Sequence, residues 1–162
     1  MKSILIVRHA QASYSFQGLK DFDRPLDKDG IKEAQIMSKQ LIKKKFIPDY
    51  IISSGAKRAL TTAKIVSKHI NYKENNIEVA NSIYNSSCEQ MIDIIQRVSD
   101  KYNKLMITGH NPTFHLLAQM LSGEDIMKFP TCSIFCIKLN IESWALINKG
   151  EKEFMIFPEL FS

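Results

Sequence analysis

Four side chains have the types and settings for chemistry on an anion: Arg8, His9, Arg58 and His110. Arg8 and His9 follow directly on the apolar run Ile4 to Val7. Arg58 comes shortly after the run Tyr50 to Ile52, and His110 shortly after Leu105 to Ile107. The planar guanidinium of arginine donates paired hydrogen bonds that match a phosphate. A neutral imidazole can attack phosphorus, and neighbouring cations help to keep it neutral. Taken singly, each residue has a plainer role as a solvated, hydrogen-bonding or surface group. What sets them apart is position, since each stands where a predicted strand gives way to a helix or loop. In open α/β sheets, ligands bind beyond the carboxyl ends of the strands. Asn111 reads as a helix N-cap with Pro112 at the first helical position. That helix start would add unpaired N–H groups and a positive dipole end to the same edge.

The elements that must position these residues alternate along the chain. Ile4 to Val7 is a continuous apolar run, as in a strand buried on both faces. A polar loop follows, and Asp27 then caps a helix carrying Ile31, Ala34, Met37 and Leu41 at helical spacing. Pro48 ends that connection, and Tyr50, Ile51 and Ile52 form a second strand closing on Ser53 and Ser54. Ala59, Ala63, Val66 and Ile70 line one face of a second helix. Ile77 to Ala80 reads as a third strand. Ser86 with Glu89, or Ser87 with Gln90, makes a capping box for a helix striped by Met91, Ile94, Ile95 and Val98. After the strand Leu105 to Ile107, the last amphipathic helix carries Phe114, Leu117 and Leu121. Ser133 to Leu139, Ser143 to Ile147 and Glu153 to Phe157 read as strands joined by polar turns. The pattern predicts an α/β protein, a three-layer α/β/α sandwich with an open, mostly parallel sheet and helices on both faces. No repeat or linker divides it, so residues 1–162 read as a single domain.

Composition excludes several classes. Apolar residues make up 44% and charged residues 24% of 162, ordinary for a globular chain and not for a disordered one. A net charge of +5 suits anionic substrates without implying nucleic acid. The run Lys43 to Lys45 closes a predicted helix and complements its dipole. No apolar run reaches the ~20 residues of a membrane helix, and Met1 to Val7 is too short for a secretory signal. Cys132 and Cys136 fall in a strand-like stretch, where four residues span about 13 Å. That is too far for a disulfide and hard to reconcile with one shared metal ion. With Cys88 they read as free thiols of a reducing compartment, hence a cytoplasmic setting.

The motifs resemble those of the histidine phosphatase superfamily, the phosphoglycerate mutase-like proteins. Val7-Arg8-His9-Ala10 is similar to its Arg-His-Gly/Ala signature. Arg24-Pro25-Leu26 resembles a segment of the short phosphohistidine phosphatases, the SixA-like group. The stretch Ser53 to Ala63 resembles the family's Ser-x-x-x-x-Arg-Ala-x-x-Thr-Ala block, and Thr108 to Pro112 its Gly-His-Asn-Pro block. The resemblance spans about residues 4–121. It implies a phosphatase in which His9 becomes a phosphohistidine intermediate while Arg8, Arg58 and His110 clamp the non-bridging oxygens. Asn111 is a candidate substrate contact. Arg24 could reach the phosphate entrance or form a structural salt bridge. No metal or cofactor is implied. His110 and His115, five apart on or near a helix, point to different faces. Asp21-x-Asp23 could be a metal-binding pair but reads better as a solvated loop.

Two departures qualify the resemblance. Ser54-Gly55 stands where Ser-Pro is common in the family, which touches the loop more than the chemistry. Many larger relatives carry a carboxylate general acid after the third strand, but Asn81 to Ser87 holds no Asp or Glu. Glu89 is next, and a capping role explains it more simply. Without an acid, a phosphoramidate such as phosphohistidine is the easier substrate, because its leaving nitrogen protonates readily. The expected partner is therefore a phosphohistidine protein. A small phosphate-bearing molecule is one alternative, and a binding protein without turnover is another. Neither nucleic acid nor membrane is expected as a partner.

Overall fold

A computed structural model describes residues 1–14 and 18–162. Residues 15–17, part of the expected polar loop before Asp27, lie outside the described residues. The elements are β1 (Lys2–Arg8), α1 (Lys28–Lys43), β2 (Tyr50–Ser53), α2 (Lys57–His69), β3 (Glu78–Val79), α3 (Cys88–Gln96), β4 (Lys104–Gly109), α4 (Thr113–Ser122), β5 (Ile134–Leu139) and β6 (Glu151–Ile156). The six strands form one sheet in the order β3-β2-β4-β1-β5-β6. The pairs β3–β2, β2–β4 and β4–β1 are parallel, while β5 runs antiparallel to both β1 and β6. This is the mixed, mostly parallel sheet expected from the alternation of strands and helices.

The continuous apolar runs follow from burial on both faces, with successive side chains pointing to opposite sides. Ile4 and Ile6 join Leu105 and Ile107 in one core cluster with Met91 and Ile95 of α3 and Phe114 and Leu117 of α4. Leu5 and Val7 join Ile51 and Met106 in the other, with Ala34, Met37 and Leu41 of α1 and Ala63 and Val66 of α2. The sheet is thus the middle layer of three.

Several local expectations are corrected. Ile31 is exposed on α1, and the buried stripe there runs Gly30, Ala34, Met37, Ser38 and Leu41. The third strand is two residues long and lies at the sheet edge. Cys132 precedes β5 in a turn with φ of 58°, so it is not a strand residue. Ser143 to Ile147 is not a strand. The Ser143 hydroxyl accepts from Ala145 N, and Trp144 donates its N–H to Asp100 and its indole N–H to the Tyr102 carbonyl, closing a 3-10 turn at Trp144–Leu146. Side-chain bonds to nearby backbone replace the ladder there. The capping box of α3 is Ser87 with Gln90, and Glu89 is exposed in the first turn.

Asp27 caps α1 by accepting from Gly30 N, as expected. Gly30 faces the loop that leaves β1, and a Cβ there would stand 1.9 Å from the Gln11 carbonyl oxygen, a rigid backbone atom. Gly30→Ala is expected to lower stability by about 2–3 kcal/mol through forced displacement of this loop. The midpoint of urea unfolding measures it, and an unchanged midpoint would contradict the close approach.

Candidate active site

The parallel register brings the chemistry together. Arg8 at the end of β1 lies opposite Gly109 at the end of β4, and Ser53 at the end of β2 lies opposite Thr108. The ladder continues one step further: His9 N donates to Gly109 O at 3.0 Å, and Ser54 N to Thr108 O at 2.9 Å. His9, Ser54 and His110 therefore emerge side by side at the carboxyl edge. Arg58, on the first turn of α2, joins them. A cleft of about 250 Å³ is lined by Arg8, His9, Arg24, Arg58, His110 and Asn111, with Tyr14 and Thr131 also on its wall.

His9 is 8% exposed. Its Nδ1 lies 2.7 Å from the Ala10 carbonyl, which can only accept, so Nδ1 carries the proton and Nε2 keeps its lone pair. Burial, reinforced by His110, Arg58 and Arg8, lowers the His9 pKa to about 3. The Ala10 turn is held in place by Thr62 of α2, whose Oγ1 accepts from Ala10 N at 3.0 Å and donates to Arg58 O at 2.7 Å. His110 sits with its ring centroid 5.4 Å from that of His9, and its Nε2 lies 2.9 Å from Ser54 Oγ. Burial first, then Arg58, lowers its pKa to about 4. Both imidazoles are neutral at neutral pH.

The two arginines are anchored alike. Arg8 Nη1 donates to Phe129 O at 3.0 Å, and Arg58 Nη1 donates to Asp21 O at 2.7 Å. The buried Nε of each has no hydrogen-bond partner among the described residues, and neither does His110 Nδ1. All three belong to residues that line one cleft, whose two guanidiniums suit an anion, although these atoms are themselves closed to solvent. Asn111 is not the N-cap of α4. Pro112 holds that place, and the Asn111 amide donates instead to Phe129 O at 2.9 Å, the carbonyl that also anchors Arg8. Its Oδ1 is buried without a partner among the described residues.

The 3-10 turn Asp21–Asp23 is not a solvated loop. Asp21 pairs with Arg58 Nη2 at 3.0 Å and Arg24 Nε at 2.9 Å, and accepts from the Tyr84 hydroxyl at 2.5 Å. The Tyr84 bond, then those from Arg24 and Arg58, lower its pKa to about 2. Arg24 thus does both things considered for it, forming a salt bridge and lining the cleft. Glu33 of α1 accepts from Gln11 N at 2.8 Å and from Thr131, tying together two stretches of the cleft wall. Burial raises its pKa. Sequence reasoning missed Asp21, Tyr84, Thr62 and Glu33. Thr62 had a signal in its place four residues after Arg58, which puts its hydroxyl under the Arg58 carbonyl. His115 packs, stacking on Phe129 and donating to the Ile126 carbonyl. Glu89 is not among the cleft residues. Among the described residues, no three His, Cys, Asp or Glu side chains converge as ligands for a metal ion.

Comparison with known proteins agrees with this architecture. The model of the histidine phosphatase superfamily (branch 1) matches residues 4–81. An uncharacterized chloroplastic protein of Arabidopsis thaliana is 30% identical over 151 residues, covering 88% of this chain and 69% of its own. An uncharacterized protein of Mycobacterium tuberculosis is 31% identical over 154 residues, covering 89% and 93%. The solved structure of the protein histidine phosphatase SixA complexed with tungstate superposes with a TM-score of 0.85 over 99% of both chains, at 22% identity. The chain belongs to the histidine phosphatase superfamily. Its fold is that of SixA.

The lowered histidine pKa values bear on stability. Below the ordinary histidine value of 6.5, the unfolded chain binds protons that His9 and His110 refuse when folded. Folding is therefore opposed increasingly as pH falls from 6.5 through about 4 to about 3, and this contribution vanishes above 6.5. The melting temperature should drop over that window, and His110→Gln should flatten part of the drop. Parallel pH curves for the wild type and the variant would contradict the assignment.

Proposed function

We propose that this protein is a metal-independent phosphatase that works through a covalent phosphohistidine on His9, with a phosphohistidine protein as substrate. The observation that carries it is the fixed tautomer of a neutral, buried His9, with Nε2 available between two arginines and His110. In the first step the Nε2 lone pair attacks phosphorus, the bond from phosphorus to the leaving nitrogen breaks, and the substrate imidazole, already protonated from solvent on its other ring nitrogen, departs neutral. In the second step water attacks the phosphoryl group on His9, the P–N bond breaks, the water loses a proton to solvent, and phosphate is released with His9 restored. Arg8, Arg58 and His110 bind the non-bridging oxygens, so catalysis consists of positioning and charge stabilisation. Arg24 and Asn111 contact the substrate at the rim and wall of the cleft. The whole of residues 1–162 serves as one such domain, in the cytoplasm.

No Asp or Glu is among the described residues that line the cleft, which supports a phosphoramidate. Asn81 to Ser87 holds none, and Asp21, with a pKa of about 2, is ionised at neutral pH and has no proton to give. A phosphorylated imidazole needs less help to leave than an alkyl oxide.

Incubation with a phosphohistidine protein should release phosphate and label His9 with an acid-labile phosphoryl group. His9→Ala should reduce turnover by at least about a thousandfold, and Arg58→Ala by about a hundredfold or more. Normal turnover by His9→Ala would overturn the mechanism. Faster turnover of small phosphate esters than of the phosphoprotein would reassign the substrate to a small molecule. Tight phosphate binding without turnover at any pH would make the chain a binding protein.

A further inference from the structure

Asp21 is joined to more of the cleft than its place in a surface turn requires. Its carbonyl accepts from Arg58 Nη1 and its Oδ2 from Arg58 Nη2, so one residue grips the whole end of that guanidinium. Oδ2 also accepts from the Tyr84 hydroxyl, and Oδ1 accepts from Arg24 Nε. The Tyr84 ring in turn meets the His110 ring edge-on at 5.5 Å between centroids. Two stretches that line the cleft, α2 through Arg58 and the loop before α1 through Arg24, are therefore tied to one carboxylate together with Tyr84, which packs on His110.

We propose that Asp21 is the positioning residue of the oxyanion clamp, gripping the Nη1–Nη2 end of Arg58 so that its guanidinium keeps a fixed orientation in the wall of the cleft where phosphoryl oxygens bind. The inference rests on the phosphoryl role of the cleft. Arg58 lines the cleft, its side chain is 6% exposed, and its guanidinium hydrogen-bonds, among the described residues, to Asp21. A guanidinium has five N–H groups in a rigid plane, so fixing one end fixes the direction of the others. The Asp21 side chain is 53% exposed but that of Arg58 is 6% exposed, so removing the carboxylate both frees the guanidinium and leaves a buried cation with one partner fewer. Binding and folding are therefore read separately. A carboxylate that instead competed with phosphate for Arg58 would give the opposite result, tighter binding on its removal.

The test uses the whole protein with tungstate as the oxyanion probe, read by calorimetry, together with turnover. Asp21→Ala should weaken tungstate binding about tenfold or more and raise KM more than it lowers kcat; the melting temperature falls as well, so binding is compared at a temperature where each variant is fully folded. Asp21→Asn, which keeps size but loses charge, should fall between, and it carries the test if the alanine variant does not fold. Tyr84→Phe keeps the ring on His110 and removes only the hydroxyl that holds Asp21. It should weaken binding in the wild-type background and have no effect in Asp21→Ala, a non-additivity that independent structural roles would not produce. Tungstate binding by both Asp21 variants as tight as wild type, or tighter, would overturn the proposal while leaving the phosphatase reading intact. Failure of the wild type to bind tungstate would instead remove the phosphoryl reading and this inference with it.

Discussion

The backbone bond from His9 N to Gly109 O, one step past the last paired residues of β1 and β4, determines where everything else in the site can lie. It carries the parallel ladder into the loops, so that His9 and His110 leave adjacent strands at the same height. The bond from Ser54 N to Thr108 O does the same for β2 and brings the start of α2, with Arg58, to that edge. Because successive side chains alternate between faces, a shift of one residue in either pairing would turn His9 or Ser54 to the opposite side of the sheet from its present neighbours. The register is therefore what aligns the site.

Burial then sets the electrostatics. A buried histidine beside cations stays neutral, and its bond to the Ala10 carbonyl selects the nitrogen that remains basic. The arginines keep their charge close to it because backbone carbonyls, Phe129 O and Asp21 O, take up one end of each guanidinium. A neutral imidazole and charged guanidiniums require opposite environments side by side in one cleft. The chain provides both by burying the imidazole and giving each cation a dipole or a carboxylate to lean on.

Asp21 and Glu33 are the carboxylates beside this positive cleft, and their pKa values are shifted in opposite directions. Asp21 is exposed and held ionised by its donors, whereas burial raises the pKa of Glu33. Neither comes from the segment after β3 where an acid was sought. That segment contributes Tyr84 instead, whose hydroxyl is committed to Asp21. The charge in the cleft thus serves to orient cations, consistent with a substrate whose leaving group needs no strong acid.

By itself the sequence determined the layer architecture and singled out four residues that the fold gathers around one cleft, because both are local patterns. Apolar runs of strand length, helix-period stripes and the caps at Asp27 and Ser87 are set by residues within one or two turns of each other. Arg8, His9, Arg58 and His110 each stand in a fixed relation to a strand end. Where the local pattern was ambiguous, a distant partner decided. Asp100 and Tyr102 turned Ser143 to Ile147 from a strand into a 3-10 turn, and the Phe129 carbonyl drew Asn111 away from capping α4. Asp21 looked like a solvated loop residue because Arg58 lies 37 positions away and Tyr84 lies 63. Only the tertiary structure could bring those three together, since a carboxylate's partners are chosen by proximity in space and its charge leaves no mark of them on the neighbouring sequence.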